Sequence, residues 1–281
     1  MGLKDALLLR VAKRWISGAD LDSAIKDAAR ANKRGMRVVI NYLGEEVTQP
    51  VVADAHLRQY LSLQDAISMN KVEGCASVKL TQFGLGSDAS AAESRFESVA
   101  ENAERLGQLL WVDMEGSKFT DATLQVYSRA VSKHPKVGVA LQAYLKRSES
   151  DLNNLLDEGG RVRLVKGAYR ESPEIALHGR ESVRENYRKL MTLLFERGEN
   201  FAIATHDSQM VDAAKKLADG KHTVFEFEML KGIRNELKEE LVSTGYRVVE
   251  YLPYGEEWYA YSQRRMSEHP SNLVLLIRSL F

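Results

Sequence analysis

Tyr246-Arg-Val-Val-Glu-Tyr-Leu252-Pro-Tyr254-Gly255-Glu-Glu-Trp258-Tyr-Ala-Tyr261-Ser-Gln-Arg264-Arg265-Met-Ser-Glu268 reads as a strand, a short turn opened by Gly255, and a helix. The helical part carries Tyr261, Arg264, Arg265 and Glu268 at i, i+3, i+4 and i+7, which puts all four on one face. A buried helix would show Leu there. The commoner use of such a stripe is a solvated face with an Arg–Glu pair. The alternative is a clamp for a carboxylate or phosphate, which planar guanidinium groups grip bidentately.

Working outward, the strand–turn–helix unit recurs. Runs rich in β-branched and apolar residues fall at 36–41, 77–82, 109–114, 137–143, 161–166, 201–206, 222–228 and 246–252. Helical patterns separate them at 50–72, 89–107, 120–133, 148–158, 181–197, 208–219 and 232–243. Asp88, Asp207 or Ser208, and Ser150 or Asp151 stand where N-caps belong. Eight strands alternating with helices over about 250 residues predict an α/β fold, a (β/α)8 barrel. No Gly-x-Gly-x-x-Gly follows the first strand, which argues against an open doubly wound sheet. Ahead of the barrel, residues 3–16 predict an amphipathic helix with Leu7, Val11 and Trp15 near one face. Asp20 is placed to cap a second helix over 21–33. The expected organisation is one domain, with an N-terminal helical arm (1–35), a barrel (36–281) and a C-terminal helix over the rim.

Composition narrows the class. The chain has 281 residues, 44% hydrophobic and 28% charged, with Lys+Arg and Asp+Glu equal at 39. That balance disfavours nucleic-acid binding. Cys75 is the lone cysteine, so there is no disulfide framework and a reducing compartment such as the cytoplasm fits. Lys4, Asp5 and Arg10 interrupt the first apolar run, so no signal peptide is expected. No run is long enough to span a bilayer, and 273–277 reads as core packing.

In barrels the active site lies at the carboxyl ends of the strands. Those ends carry Asn41, Lys79, Asp113, Gln142, Arg163, Lys166, Thr205, His206, Glu228 and Tyr251. Any one has an ordinary explanation: a strand end is wet, Lys79 and Asp113 could simply pair, and a lone His is usually structural. Polar groups from every strand together argue for a lined pocket. No metal-ligand spacing or Gly-x-Ser-x-Gly elbow occurs, and Cys75 falls at or before the start of strand two, the wrong end for a nucleophile. A cation-rich pocket suits an anionic substrate and a cofactor that gains negative charge, such as a flavin. It equally suits Lys166 as a Schiff-base lysine in an aldolase-like barrel, or a non-catalytic sensor of a small acid.

The sequence resembles a known family. Leu43-Gly44-Glu45, Arg163-Leu-Val-Lys166-Gly167-Ala168-Tyr169, Ala204-Thr205-His206-Asp207, Phe227-Glu-Met-Leu230-Lys-Gly232, Tyr251-Leu-Pro-Tyr-Gly255 and Tyr261-x-x-Arg264-Arg265-x-x-Glu268 occur in order. Together they look like the catalytic barrel of proline dehydrogenases in their short, monofunctional form, over about residues 36–272. The resemblance implies FAD as cofactor, oxidation of L-proline to Δ1-pyrroline-5-carboxylate, and a quinone as electron acceptor reached by peripheral membrane contact. It also implies a separate pyrroline-5-carboxylate dehydrogenase downstream. By the same resemblance Arg264, Arg265 and Lys79 hold the substrate carboxylate, and Tyr261, Tyr169 and Leu230 pack its ring. Arg163 and Gln142 flank the isoalloxazine, with Arg163 near N5. Met114, Lys166, Gly167, Ala168, Thr205 and His206 contact FAD. Asp113 belongs to the catalytic centre, and Glu45 and Glu268 belong to a gate, Glu45 pairing with Arg264. Departures are Asn41 for Asp, Arg170 for Trp, His269 for Asn, and Glu228 and Asp207 where some members have Gln and Asn. A carboxylate at 228 is expected to disfavour an anionic reduced flavin.

Overall fold

The computed structural model describes residues 14–220 and 223–258. The chain runs α1 (Leu21–Lys33), β1 (Arg37–Tyr42), α2 (Pro50–Met69), β2 (Gly74–Val78), α3 (Ala89–Arg105), β3 (Leu110–Val112), α4 (Thr120–Val131) and β4 (Val137–Gln142). It continues α5 (Ser148–Asp157), β5 (Arg161–Val165), α6 (Arg180–Arg197), β6 (Asn200–Ala204), α7 (Ser208–Ala218), β7 (Val224–Leu230), α8 (Asn235–Ser243) and β8 (Val248–Tyr254). The eight strands form a closed barrel in sequence order, every pairing parallel. Closure comes from β8 on β1, in a register from Arg37 beside Val249 to Tyr42 beside Tyr254. The predicted (β/α)8 barrel is therefore the fold.

Helices α2 to α8 each follow a strand. The outer face of β8 and β1 is covered instead by α1, which precedes the barrel. Its small buried face of Ala24, Ile25, Ala28 and Ala31 allows that close approach. Asp20 caps it, accepting from the Ser23 amide at 2.7 Å. Trp15 is buried, while Leu7 and Val11 lie outside the described residues. So does the helix expected over the rim.

Two local readings are corrected. The strand expected at 77–82 begins and ends earlier, as β2. Its small residues Gly74-Cys-Ala-Ser-Val78 give little β signal. The more apolar Leu80–Phe83 that follows is a 3-10 turn, with the Gln82 side chain folded back on the Lys79 amide. Cys75 is thus inside β2, still near its amino end, and burial pushes its thiol up to about 12. The second correction concerns α5. It starts at Ser148, so Ser150 and Asp151 lie within its first turn, and Asp151 accepts from Arg147 at 2.7 Å rather than capping. Asp88 and Asp207 do cap α3 and α7.

The barrel interior is filled by Val39, Cys75, Trp111, Ala202 and Val249. Trp111 fits because its neighbour on β4 is Gly138, where a Cβ would stand 2.4 Å from the indole. Gly138→Ala should therefore overpack the interior and destabilise the fold by roughly 1–3 kcal/mol. The change should appear as a lower urea midpoint with unchanged slope; an unaltered midpoint would show that the Trp111 ring can shift freely.

Candidate active site

Two residues beyond the interior plug on β2, β3 and β8, the inward positions become Ser77, Asp113 and Tyr251. They converge on one carboxylate. Asp113 accepts from Ser77 Oγ at 2.7 Å, from Arg163 Nη1 at 2.8 Å and from Tyr251 OH at 2.6 Å. Arg163 rises from β5, only 2% exposed, its guanidinium 4.5 Å over the Trp111 ring. Its Nε lies 2.7 Å from Glu228 Oε2 on β7, an ion pair without hydrogen-bond alignment. Among the described residues, Arg163 Nε and Nη2 and Glu228 Oε1 are buried with no hydrogen-bond partner.

One guanidinium thus faces two carboxylates. Burial works against the charge of Arg163, but Glu228 and Asp113 more than offset it, so its proton is held more tightly than usual. Glu228 bears the cost: burial pushes it up to about 7, against the attraction of Arg163.

On the β1–β2 side, Lys79 Nζ pairs with Glu45 Oε2 at 3.3 Å, and Tyr169 OH donates to the same oxygen at 3.3 Å. The sequence offered Asp113 as the partner of Lys79; the structure gives Asp113 to Arg163 instead. Asn41 is a structural link, donating to Ser77 O at 2.9 Å and Tyr60 OH at 3.2 Å. Glu115 escaped the sequence reading. It accepts from both the amide and the hydroxyl of Thr81, fixing the turn that carries Lys79. Burial raises it to about 6, with Lys79 working against the rise. Its only signal was its place directly after Asp113-Met114 at the strand end.

On the β4–β6 side, Gln142 donates to Glu115 O at 2.9 Å and Met114 is buried. Lys166 Nζ meets Asp207 Oδ2 at 2.7 Å, and Arg184 Nε reaches the same oxygen at 2.7 Å. Burial tends to raise Asp207, but Arg184 and Lys166 hold it down to about 2. Arg184, on α6, was also missed, because nothing in a helical pattern marks one surface Arg as inward-reaching. Gly167 has φ +106°, and a Cβ there would stand 2.2 Å from the Tyr144 ring, so backbone alone passes at this point. Ala168 is exposed beside it. Thr205 Oγ1 accepts from the Asp207 amide at 3.1 Å, and His206 Nε2 accepts from the Leu230 amide at 2.9 Å. That bond sets the neutral tautomer with its proton on Nδ1. Tyr261, Arg264, Arg265 and Glu268 lie outside the described residues.

The buried carboxylates make stability depend on pH in opposite senses. Glu228 rises from 4.5 to about 7 in the fold, so the folded chain binds more protons and stability falls as pH rises through that window. Asp207 drops from 3.8 to about 2, so its contribution is present above 3.8 and lost as pH falls towards 2. Urea unfolding of the wild type should show stability declining from pH 4.5 to about 7, with Glu115, at about 6, adding to the decline in the same sense. Glu228→Gln should flatten that decline and leave the acid limb untouched. An identical slope in the variant would mean Glu228 is already ionised there.

Comparison with known proteins establishes the family and the fold. The family model described as proline dehydrogenase matches residues 24–276. Proline dehydrogenase 2 of Bacillus subtilis (strain 168) is 33% identical over 290 residues, covering 99% of this chain and 95% of the relative. Proline dehydrogenase of Deinococcus radiodurans is 32% identical over 278 residues, covering 96% and 90%. Among solved structures, proline utilization A from Bdellovibrio bacteriovorus inactivated by N-propargylglycine superposes with a TM-score of 0.85 at 24% identity. That match covers 91% of this chain and 32% of the other, so it speaks to the fold and to about a third of the larger protein. With the family model spanning most of the chain and relatives above 30% identity along nearly all of it, this chain belongs to the proline dehydrogenase family, a family of oxidoreductases.

Proposed function

We propose that this chain oxidises L-proline to Δ1-pyrroline-5-carboxylate with FAD as the hydride acceptor and a quinone as the final acceptor. The observation that carries the reading is the mouth of the barrel: a buried Arg163 with unpartnered N–H groups, in a member of this family. The residues fit a flavin. Arg163 offers a fixed positive charge and spare donors, Gly167 lets the chain turn tightly against the Tyr144 ring just after Lys166, and Lys166 is held at the rim by Asp207. Gln142, Met114, Ala168, Thr205 and His206 complete the set that would hold it. When bound, FAD supplies the two-electron acceptor.

The chain's own residues bind, orient and exclude water. Lys79, with Arg264 and Arg265, takes the substrate carboxylate, and Tyr169, Tyr261 and Leu230 enclose the ring. Orientation of this kind is the main contribution a protein makes to hydride transfer. Lys79 already has an anion within reach in Glu45, which proline's carboxylate would displace. Glu45, freed, is then available to Arg264 as a closing gate, with Glu268 four residues further along the sequence. Asp113 accepts three donors at once, so its role is to orient Tyr251 and Arg163 rather than to take a proton. Lys166 is engaged in an ion pair with Asp207, which counts against a Schiff-base lysine. Among the described residues no helix is long and apolar enough to cross a membrane, and the contact proposed with a quinone-bearing bilayer is a peripheral one.

The purified protein should be yellow, with flavin absorbance that bleaches when L-proline is added without an acceptor. A colourless protein that binds proline would favour the sensor reading, and borohydride trapping of an imine on Lys166 would favour the aldolase. Arg163→Lys keeps the charge and loses the planar fork. It should retain FAD but slow bleaching at saturating proline by about 10–1,000-fold. A change in proline affinity alone, with normal bleaching at saturation, would place Arg163 away from the reacting atoms.

A further inference from the structure

Lys238 lies in α8 on the outer wall of the barrel, with no exposed surface. Its ammonium pairs with Glu250 of β8, itself 5% exposed, and donates to the main-chain carbonyl of Leu230 at 3.3 Å. Glu250 sits between Val249, which packs in the barrel interior, and Tyr251, whose hydroxyl binds Asp113, so its own side chain points outward. Leu230 is the last residue of β7 and the register partner of Tyr251.

An ion pair is an odd choice for this wall. Burial pushes the Lys238 amine down and Glu250 only partly restores it. Buried pairs of this kind are commonly matched or bettered in stability by apolar residues of the same size. An apolar pair could not donate to the Leu230 carbonyl. The other side of that residue is held as well, since its amide donates to His206 Nε2 at 2.9 Å. The next amide, of Lys231, donates to Tyr251 O at 3.0 Å. The carbonyl of Leu230 thus accepts from Lys238 and from the Ile233 amide, at 3.3 Å each, while its amide donates to His206, so the backbone is held on both sides of the Leu230 side chain.

We infer that the Lys238–Glu250 pair, acting with His206, is a positioning device that fixes Leu230 and thereby sets the ring size the pocket accepts. This rests on the reading above that Leu230 packs against the substrate ring. Lys238 and Glu250 touch no substrate; they act through the Leu230 backbone.

The test compares kcat/KM for L-proline with that for its six-membered homologue L-pipecolate and its four-membered homologue L-azetidine-2-carboxylate, in FAD-loaded enzyme. Lys238→Met with Glu250→Leu removes both charges and strands neither. It should keep its FAD content while the preference for proline over the larger or smaller ring falls by about tenfold, a typical margin for one methylene. Lys238→Gln with Glu250→Gln restores a neutral N–H donor and should recover most of the preference whatever its thermal midpoint. A purely structural role would move the midpoint in both pairs and the preference in neither. Leu230→Ala separates the two layers of the argument. If it shifts the preference and the Met/Leu pair does not, the positioning role is overturned. If Leu230→Ala leaves the preference unchanged, the ring-wall reading fails and the inference falls with it. Should the Met/Leu pair not fold, Lys238→Arg keeps the charge but displaces the Leu230 carbonyl with a larger head. An unaltered preference there, in folded and FAD-loaded protein, overturns the proposal equally.

Discussion

A guanidinium sealed inside a parallel barrel must be neutralised on the spot, and the mouth of this barrel is built around that requirement. Taking one ion out of water costs several kcal/mol even after relaxation. Arg163 is compensated from three directions: Asp113 directly after β3, Glu228 on β7 and the face of Trp111. Asp113, once held, fixes Ser77 on β2 and Tyr251 on β8. One buried charge therefore couples five strands, and the geometry of the pocket follows from its neutralisation. The second carboxylate leaves the cluster short of protons at high pH and nearly balanced when Glu228 is protonated. With its carboxyl pushed up to about 7, Glu228 is only partly ionised near neutral pH and carries part of a full negative charge there.

The β5–β6 side of the same rim relies on a single carboxylate with three tasks. Asp207 caps α7, receives Arg184 from α6 and holds Lys166 at the end of β5. A helix of the outer layer is thereby tied to a side chain of the inner rim. The β7–β8 side uses the same device with Lys238 and Glu250. In both places a charge pair connects wall to mouth where an apolar contact would give packing without direction.

The fold was readable because eight strand patterns alternate with capped helices, and because polar residues stand where strands end. Asp20, Asp88 and Asp207 announced their helices correctly. Partners were harder to read. Lys79 follows β2 on a 3-10 turn, and its reach to Glu45 depends on a loop conformation that residue order does not encode. Glu115 and Arg184 come from a turn and an outer helix, with no periodicity to single them out. β2 was misplaced because Gly74-Cys-Ala-Ser-Val78 is small rather than β-branched, its stability coming from burial on both faces. The family likeness supplied roles for individual residues; the structure supplied the contacts by which several of them are held.

The seam between β1 and β8 has a consequence for how the molecule comes to exist. Arg37 is bonded in register with Val249, and Ser17 donates to Pro253, so residues more than two hundred positions apart are neighbours. Until that seam shuts, the sheet keeps an open edge at β1 and another at its last-formed strand. During synthesis, seven strands and their helices emerge before the eighth can complete the ring, and loop-closure entropy must be met before the closing contacts form. The partly assembled barrel exposes two unpaired edges and a half-covered interior, the features that make folding intermediates associate. With α1 made first and lying across the seam, the chain carries from the outset the piece that covers the last joint to close.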